Sequence, residues 1–399
     1  MGLNNSHIMP TYNRADLRFV RGDGAWLETD TGEKYLDFGS GIAVNTLGHA
    51  HPKLTAALTA QSEKLWHVSN LYEIPEQEKL ATQLCDASFA DLVFFNNSGA
   101  EAAEVMIKAM RKFHAVNGAP EKVTLIGFDG AFHGRTLAAL AAAGNQAYLD
   151  GFGPAPQGFV QCAELTLVAV EKLIDDTTAG ILIEPVQGEG GVRDVGTEFL
   201  RGLRSLCDKH GILLGLDEVQ CGIGRTGKLF AHEWADITPD IMAIAKGIGG
   251  GFPLGAVLAR QAVGAVMQPG SHGSTYGGNP LGCAVGSAVL DAVLADGFLA
   301  HVDQMAIYFR QNLARLLDNY GDIFEDLRGR GLMVGLKCKP QNQQLVTALR
   351  DEKFLSVGAG DNVLRLLPPL NVTQGEIDLA ISALEAACEK LRAQNGGEK

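Results

Sequence analysis

Short apolar runs, each bounded by turn-forming residues, recur through the middle of the chain. They are Leu92–Phe95, Val123–Phe128, Gly180–Ile183, Ile212–Leu216, Ile241–Ala245 and Ala256–Ala259. Runs this short and this uniformly apolar are typical of strands buried on both faces, as in a mainly parallel sheet. Helices fit between them: residues 102–113 place apolar side chains at helical spacing ahead of Gly118, and residues 197–210 do so ahead of Gly211. The alternation predicts an α/β fold.

The two ends of the chain follow a different pattern. Near the start, Ala25–Glu28 and Lys34–Asp37 flank the turn Thr29–Gly32, which predicts a hairpin. From Pro280 onward long amphipathic helices dominate, and the last is expected at Gln374–Gln394.

A chain of 399 residues is long enough for two domains. We predict a large α/β domain at residues 53–290 and a smaller domain formed by residues 1–52 and 291–399. With 46% hydrophobic and 20% charged residues, the composition is that of an ordinary soluble globular protein.

Charge and cysteine content exclude several classes of protein. The net charge of −13 argues against nucleic acid or an anionic membrane as a partner, so a small anionic substrate would need a few local arginines. The seven cysteines are scattered with no CxxC pair, which indicates reduced thiols in a cytoplasmic protein rather than a disulfide framework or a metal site. Residues 1–12 are polar, so we expect no signal peptide, and no apolar run approaches the ~20 residues of a membrane span.

One glycine pattern imitates nucleotide-binding motifs. Gly222–Gly227 matches G-x-G-x-x-G, but the dinucleotide fingerprint opens a helix directly after a strand. Here Asp217–Gln220 separates the pattern from the preceding apolar run, and no obvious helix follows. The segment Gly222–Leu229 also falls one residue short of a P-loop, because Leu229 stands where Ser or Thr would ligate magnesium. A glycine-rich loop without a phosphate role is the better interpretation.

Small residues mark a candidate phosphate site. Ser98, Gly99 and Ala100 lie where the run Leu92–Phe95 gives way to a helix. A helix N-terminus offers unpaired N–H groups and a partial positive charge, and small side chains let an anion reach them. A simple N-cap serine explains the same pattern equally well.

Two ionisable residues end predicted buried strands. Asp217 follows Ile212–Leu216, and ligands in open α/β sheets bind outside the carboxyl ends of strands. An aspartate there could pair with a protonated ring nitrogen, although a lone aspartate is more often a turn former. Lys246 closes the run Ile241–Ala245 and precedes a glycine-rich stretch. A desolvated lysine has a lowered pKa and suits Schiff-base chemistry, whereas a surface lysine is the plain alternative.

A second loop of small residues, Gly273–Gly278, could also hold an anion. Each of these features is weak alone. In the order phosphate site, pyridinium partner and Schiff-base lysine, they suit pyridoxal 5′-phosphate (PLP).

At these residues the chain resembles the class III (ω-amino acid) PLP-dependent aminotransferases, most closely those that act on acetylornithine. The similarity runs through most of the chain, in the stretches Leu36–Pro52, Asn97–Glu101, Phe128–Thr136, Ile183–Gly191, Leu216–Gly227, Asp240–Gly255, Gly273–Pro280 and Asn362–Leu370. The resemblance implies PLP fold type I, with a large domain around a mainly parallel seven-stranded sheet and a smaller α/β domain from both chain ends. It also implies a homodimer with its active sites at the subunit interface.

The same resemblance implies a set of cofactor-binding residues: Ser98, Gly99, Ala100, Phe132, Asp217, Glu218, Val219, Gln220, Lys246 and Thr275. Within this set, the backbone N–H groups of Gly99 and Ala100 would bind the phosphate, and Thr275 would reach the phosphate of the other subunit's cofactor.

The resemblance also assigns the groups around the cofactor ring. Phe132 would stack on the ring and Gln220 would contact its phenolic oxygen. Asp217 would pair with the ring nitrogen, and Lys246 would form the Schiff base. Lys246 and Asp217 are therefore the implied catalytic residues.

Substrate contacts are implied as well. Arg135 matches an arginine that binds a substrate carboxylate, Arg365 matches a second arginine, and Glu189 matches the glutamate that can shield it. A turn arginine and a surface salt bridge are the plain alternatives. Ser274 would lie near the substrate. Ile42 falls where ornithine aminotransferases carry a tyrosine, which favours an acylated substrate over free ornithine.

The activity implied is transfer of the δ-amino group of N2-acetylornithine to 2-oxoglutarate, giving N-acetylglutamate 5-semialdehyde and glutamate, in arginine biosynthesis. Succinylornithine or succinyldiaminopimelate fits the same motifs, and free ornithine or 4-aminobutyrate fits them less well. A PLP-dependent aminomutase or racemase would need no second carboxylate substrate, so the Glu189–Arg365 pair disfavours it. A non-enzymatic binding protein would have lost Lys246 or Asp217, and both are present.

Overall fold

The computed structural model describes residues 7–396 of the chain. In that range the strands are β1 (Phe19–Asp23), β2 (Trp26–Thr29), β3 (Lys34–Asp37), β4 (Leu92–Asn96), β5 (Thr124–Phe128), β6 (Phe159–Cys162), β7 (Thr178–Ile183), β8 (Val186–Gln187), β9 (Arg193–Asp194), β10 (Leu213–Asp217), β11 (Ile241–Ile244), β12 (Gly255–Ala259), β13 (Phe324–Arg330), β14 (Met333–Cys338), β15 (Phe354–Leu355), β16 (Val357–Ala359) and β17 (Val363–Leu366). The helices are α1 (Ser40–Ala43, a single left-handed turn), α2 (Pro52–Ser62), α3 (Pro75–Asp86), α4 (Gly99–Val116), α5 (Leu137–Ala143), α6 (Gln146–Leu149), α7 (Leu167–Leu173), α8 (Thr197–His210), α9 (Gln261–Gly264), α10 (Pro280–Val293), α11 (Phe298–Asn319), α12 (Asn342–Asp351) and α13 (Gln374–Gly396). Short 3₁₀ turns lie at Ala231–Ala235 and Lys246–Gly249.

Seven strands form the main sheet, in the order β4-β12-β11-β10-β7-β5-β6. β12 is antiparallel to both of its neighbours, and the other adjacent strands are parallel. The predicted α/β fold with a mainly parallel seven-stranded sheet is therefore confirmed. The predicted apolar runs correspond to β4, β5, β7, β10, β11 and β12. The edge strand β6 is the one that the apolar pattern does not predict, because it contains Gln161 and only Cys162 is buried in it.

The main sheet is covered on both faces. Every residue of β7, β10, β11 and β12 is buried, as expected of central strands between two layers. On one face α4 packs Met106 and Met110 against the sheet, and on the other α8 packs Leu200 and Leu203. Gly180 in β7 makes room for α4, since a Cβ there would lie 2.4 Å from the Cε of Met110. Both predicted helices thus pack against the predicted strands.

A second sheet, β13-β14-β17-β16, is called the C-terminal sheet below. It shares a core with α11, α12 and α13, and that core also contains Leu36 and Phe38 from near the start of the chain. The predicted hairpin is present as β2 and β3, and β3 pairs in parallel with β15. Both ends of the described chain therefore meet in one core. The domain boundaries after residues 52 and 290 remain a prediction.

Two further observations concern classes of protein considered above. No single helix of the described range is long and apolar enough to cross a membrane, and α10 and α11 meet that test only as a pair bent by 70°. Clusters of three or more His, Cys, Asp or Glu side chains placed to hold a metal ion are absent from residues 7–396.

Candidate active site

Three neighbouring strands of the main sheet bring ionisable residues to one edge. Asp217 is the last residue of β10, Glu184 follows β7 directly, and Lys246 lies two residues after β11. Because β7, β10 and β11 are adjacent and parallel, their carboxyl ends meet there. A cavity of about 240 Å³ opens at this edge.

The cavity brings together most of the predicted site residues. Its lining includes Gly99, Ala100, Phe132, Arg135, Glu189, Asp217, Val219, Gln220 and Lys246. Arg365 contacts this lining through Glu189 and Gln220. The lining does not include Ser98, Glu218, Ser274 or Thr275.

The start of α4 forms a site for an anion at one end of the cavity. Ser98 is the N-cap residue, and its hydroxyl accepts the N–H of Glu101 at 3.2 Å. The following N–H groups, of Gly99 and Ala100, have no acceptor within the helix and lie at the cavity. A side chain on Gly99 would lie 2.7 Å from Val219 Cγ1, so glycine is needed where α4 meets this loop. The N-cap interpretation and the phosphate interpretation of Ser98–Ala100 are therefore compatible.

A buried histidine holds Asp217. The Nδ1 atom of His133 lies 2.7 Å from Asp217 Oδ2, and the N–H of Val219 donates to Asp217 Oδ1 at 3.0 Å. Burial opposes a charge on His133, but the hydrogen bond that its ring donates to Asp217 and the negative charge of Asp217 outweigh that effect and raise the pKa of His133. The hydrogen bond to His133 fixes the orientation of the Asp217 carboxylate, which could pair with a cationic ring nitrogen.

Glu184 ties two loops of the cavity together. Its Oε1 accepts the N–H of Phe132 at 2.8 Å, and its Oε2 accepts the N–H of Gly188 at 3.1 Å. Burial, and next the charge of Asp217, raise the pKa of Glu184 to about 7. The backbone positions of Phe132 and of the loop leading to Glu189 thus depend on one buried carboxyl group.

Lys246 is held in a strained conformation. Its φ angle is +46°, in the left-handed region that residues with a side chain rarely adopt, and such strain is typical of functional sites. The side chain is half-buried at the cavity and has no hydrogen-bond or ion-pair partner among the residues described. Burial, and next the positive charge of Arg365, lower the pKa of Lys246. A larger share of neutral amine suits attack on a carbonyl carbon.

Glu189 and Arg365 form an ion pair of unequal exposure. Arg365 Nη1 lies 2.7 Å from Glu189 Oε1, and it also donates to Gln220 Oε1 at 3.0 Å. The side chain of Arg365 is 1% exposed and that of Glu189 is 31% exposed. Because Arg365 occupies the oxygen of Gln220, the amide nitrogen of Gln220 remains available as a donor.

Arg135 differs from Arg365 in that it has no anionic partner among the residues described. Its guanidinium stacks on the ring of Tyr148, 4.1 Å from the centroid, and lies 5.4 Å from the centroid of Phe132. The residue is exposed, and no ion pair involves it within residues 7–396. An exposed guanidinium held by aromatic rings is available for bidentate binding of a carboxylate.

Glu218 does not point its side chain into the cavity. Its carboxylate is fully buried and accepts the N–H groups of Ala231 and His232, together with the ring Nδ1 of His232 at 2.8 Å. The side chain of Glu218 therefore braces the 3₁₀ turn, and the implied cofactor contact of this residue remains a prediction. A residue adjacent to Asp217 in sequence faces the other way because side chains alternate at the end of a strand.

Ser274 and Thr275 lie on a separate loop. The Ser274 hydroxyl accepts the N–H of Gly277 at 2.9 Å and lies 3.3 Å from Asn97 Nδ2. Thr275 is exposed to solvent. The single chain does not bring either residue into the lining of the cavity that contains Lys246.

The residues that sequence reasoning missed are His133, Glu184 and Tyr148. His133 and Glu184 lie inside stretches that resemble the aminotransferases, and that similarity was the available signal. Tyr148 lies outside those stretches, on the short helix α6, and only the fold shows its contact with Arg135.

The residues at the cavity fit PLP. The amine of Lys246 has no partner among residues 7–396, the N-terminus of α4 can accept a phosphate, and the Asp217 carboxylate is oriented by His133 for a ring nitrogen. The buried Nε of Arg365 also has no hydrogen-bond partner in the described part of the chain, which leaves it a donor for an anionic substrate group.

The family model of the class III aminotransferases matches residues 9–388. The acetylornithine aminotransferase of Mesorhizobium japonicum is 59% identical over 389 residues, covering 98% of each chain. That of Brucella melitensis biotype 1 is 59% identical over 388 residues, covering 97% of this chain and 96% of the relative.

Solved structures show the same fold. The N-acetylornithine aminotransferase of Stenotrophomonas maltophilia is 37% identical, with a TM-score of 0.84 over 96% of this chain and 98% of the other. The ornithine aminotransferase of Toxoplasma gondii is 29% identical, with a TM-score of 0.93 over 97% of this chain and 94% of the other.

The fold and the cavity define a PLP-dependent transferase of fold type I. Within that class, the chain belongs to the class III aminotransferases. It is a PLP-dependent transaminase that acts on small molecules, as the sequence predicts.

Proposed function

We propose that this aminotransferase moves the δ-amino group of N2-acetylornithine to 2-oxoglutarate, giving N-acetylglutamate 5-semialdehyde and glutamate, as a step of arginine biosynthesis in the cytoplasm. The observation that carries the proposal is the pair of arginines at one cavity: within the described chain Arg135 has no anionic partner, and Arg365 is covered by Glu189. Relatives at 59% identity that are named acetylornithine aminotransferases support the choice of amino donor.

The two arginines explain how one cavity serves two unlike substrates. Acetylornithine has one carboxylate, which would bind Arg135, while Glu189 neutralises Arg365 near its amine end. Glutamate has two carboxylates, so Glu189 must leave for the second one to reach Arg365. Glu189 is 31% exposed and can move into solvent, whereas Arg365 is 1% exposed and fixed within a strand.

When bound, PLP supplies an electron sink for the substrate carbon that loses a proton. Lys246 would hold the cofactor and then move that proton, and its lowered pKa suits a base. Asp217, held in place by its hydrogen bond with His133, would pair with the ring nitrogen. The amide nitrogen of Gln220 would donate to the phenolic oxygen.

The remaining predicted contacts position the cofactor. The N–H groups of Gly99 and Ala100 would bind its phosphate, with Ser98 capping the same helix. Phe132 and Val219 both line the cavity, and we propose that Phe132 stacks on the ring.

We also propose a homodimer. Thr275 is exposed and outside its own cavity, as expected of a residue that contacts the cofactor phosphate of the partner subunit. Large aromatic side chains beside it are exposed as well: Tyr276 by 62% and Trp66 by 65%. Exposed apolar patches of this kind are typical of subunit interfaces. Ser274 would then lie near the substrate of the shared site.

The choice of acetylornithine over ornithine does not rest on the fold. The Toxoplasma gondii ornithine aminotransferase superimposes with a higher TM-score than the Stenotrophomonas maltophilia enzyme, at lower identity. The proposal rests instead on sequence identity and on Ile42, an aliphatic residue that is 39% exposed on the left-handed turn α1. An aliphatic side chain offers an acylated substrate no competing hydroxyl group.

The test is a single-turnover comparison of amino donors with the PLP-loaded enzyme. Acetylornithine, succinylornithine, ornithine, succinyldiaminopimelate and 4-aminobutyrate are each mixed with the enzyme, and loss of the visible absorbance of the lysine-bound cofactor is followed. We expect acetylornithine to give the highest rate per concentration. A faster reaction with ornithine or 4-aminobutyrate would overturn the proposed donor, and product formed without 2-oxoglutarate would favour an isomerase.

A further inference from the structure

The glycine-rich segment Gly222–Gly227 is a backbone contact between the main sheet and the C-terminal sheet. Its residues Ile223, Gly224 and Gly227 have φ angles of +54°, +86° and +97°. A side chain on Gly224 would lie 2.9 Å from Leu370 Cδ1. From the other side, a side chain on Gly331 would lie 2.5 Å from the backbone of Thr226. The glycines therefore serve close approach of two backbones rather than phosphate binding.

Arg225, at the centre of this segment, is buried, and no carboxylate of the described residues pairs with it. It is 2% exposed, and its Nη1 donates to the carbonyl oxygens of Leu332 at 3.3 Å and Pro368 at 2.5 Å. Its own carbonyl oxygen accepts the N–H of Leu332 at 3.0 Å. No ion pair involves Arg225 in the described range, and burial lowers its pKa to about 9, which still leaves it protonated at neutral pH. A buried, unpaired guanidinium is costly, so its position calls for a role.

The two carbonyl groups that Arg225 binds lie at one end of the strand pair that contains Arg365. Leu332 immediately precedes β14, and Pro368 follows β17. These strands pair with Gly335 opposite Arg365 and Val334 opposite Leu366. Arg225 thus joins β14 and β17 at the end of the C-terminal sheet where Arg365 lies.

The same loop also contacts Arg365 directly from the main sheet. Gln220, five residues before Arg225 in sequence, accepts a hydrogen bond from Arg365 Nη1 at 3.0 Å. One segment therefore holds both the strand that carries Arg365 and the guanidinium of Arg365. A shift of that strand would displace the guanidinium from the cavity edge without changing Lys246 or Asp217.

We propose that Arg225 is a positioning residue for Arg365: it fixes the end of the C-terminal sheet against the main sheet and so sets the affinity for the α-carboxylate of 2-oxoglutarate and glutamate. The inference rests on the proposed function in assigning that carboxylate to Arg365. Arg225 touches neither substrate, and the acetylornithine half of the reaction, in which Glu189 covers Arg365, is insensitive to it.

The experiment compares Arg225→Met, Arg225→Lys and Arg310→Met as PLP-loaded enzymes. Arg310 is the matched control, because its Nη1 also donates to two backbone carbonyl groups, at 3.2 and 3.1 Å, but these belong to β13, which does not adjoin β17. For Arg225→Met we expect KM for 2-oxoglutarate to rise roughly tenfold, with kcat and KM for acetylornithine within about twofold of wild type. Arg225→Lys keeps the charge and one donor, so we expect a rise of about threefold, and Arg310→Met should leave both constants unchanged.

Hydrogen–deuterium exchange of the peptide covering residues 363–370 gives a readout that does not depend on substrate identity. We expect faster exchange there in Arg225→Met than in wild type or Arg310→Met. Equal losses for both substrates, or unchanged KM together with unchanged exchange, would overturn the proposal. If Arg225→Met does not fold, Arg225→Lys decides by the same criteria. Failure of the wild-type enzyme to use 2-oxoglutarate would instead contradict the proposed function. The exchange measurement would still test whether Arg225 fixes residues 363–370.

Discussion

The deep end of the cavity, at the strand ends that carry Asp217 and Lys246, differs from its mouth, at Arg135 and Glu189, in burial and in hydrogen bonding. At the deep end, Asp217 and Glu184 lie at the ends of buried parallel strands, and each carboxylate has a partner on both oxygens. At the mouth, Arg135 is exposed on a loop and Glu189 is partly exposed. Groups that act on the cofactor must already be in place when the reaction occurs, whereas groups that choose between two substrates must be able to move. The contrast indicates that the chemistry is fixed and the substrate recognition is adjustable.

The largest expected effect comes from removing the amine at the deep end. Lys246→Ala should abolish covalent attachment of PLP, because no other described lysine lines the cavity, and should lower kcat by roughly 10³-fold or more. The measurement is visible absorbance after adding PLP, with steady-state activity. Lys228→Ala is the control, since Lys228 donates to Glu233 O away from the cavity. A Lys246→Ala protein that keeps the absorbance of lysine-bound cofactor would contradict the assignment.

At the mouth, Arg135→Met should weaken the binding of both substrates. The side chain is the proposed carboxylate site for each of them, so we expect kcat/KM to fall roughly 10²-fold for acetylornithine and for 2-oxoglutarate alike. Arg111→Met is the matched control, because Arg111 also stacks on an aromatic ring, Phe159, at 4.7 Å, remote from the cavity. Loss for one substrate only would refute the shared site.

A smaller effect is expected when the support of Asp217 is removed. His133→Phe deletes the hydrogen bond to Asp217 and should lower kcat about tenfold, while His133→Asn, which can still donate, should retain more activity. The pH profile of kcat should change for His133→Phe but not for the buried control His114→Phe, whose ring contacts only the carbonyl group of Ala179 by hydrogen bonding. An unchanged pH profile would make His133 a packing residue.

The smallest effect concerns stability and the raised pKa of Glu184. The pKa of about 7 exceeds the ordinary value of 4.5, so the neutral form is favoured by folding. Its contribution is present below about pH 4.5 and is lost as pH rises through about 7. Glu184→Gln lacks this titration, so the variant should gain stability relative to wild type across that range, by a few kcal/mol at most, at about 1.4 kcal/mol per pKa unit.

Urea unfolding of the cofactor-free proteins at several pH values measures this difference. The constant cost of replacing one acceptor oxygen cancels, because only the slope with pH is compared. A difference independent of pH would show that Glu184, despite facing Asp217 and His133, is ionised throughout.

The central elements of the fold could be predicted because their sequence signal is local. β7 and β10 are uniformly apolar since they are buried on both faces, and the position of Asp217 and Lys246 just after such strands marks a ligand-binding edge. The reversed direction of β12 could not be predicted, because an apolar run carries no information on orientation. β6 could not be predicted either, because an edge strand with half-buried residues lacks the uniformly apolar pattern of a buried strand.

The candidate site could be predicted only in part, because many of its contacts join residues that are distant in sequence. His133 meets Asp217 across 84 positions, and Arg225 meets Pro368 across 143. The residue type of His133 alone does not distinguish it from a core histidine, and Arg225 lies within a glycine pattern that suggests a loop. Only packing shows that His133 contacts Asp217 and that Arg225 approaches the strand of Arg365. The resemblance to a family implies a cofactor contact for Glu218, but the hydrogen bonds of its side chain to Ala231 and His232 could not be predicted from the sequence.

The two half-reactions of an Arg365→Met variant test the contrast most directly. The donor half is followed as loss of visible absorbance on adding acetylornithine, and the acceptor half as its return on adding 2-oxoglutarate to the aminated enzyme. We predict that the donor rate stays within about threefold of wild type, since Glu189 already neutralises Arg365 in that half, while kcat/KM for 2-oxoglutarate falls roughly 10²-fold. Equal losses of rate in both half-reactions would contradict the proposal that Glu189 and Arg365 together let the cavity bind two substrates. An unaffected acceptor half-reaction would contradict it as well.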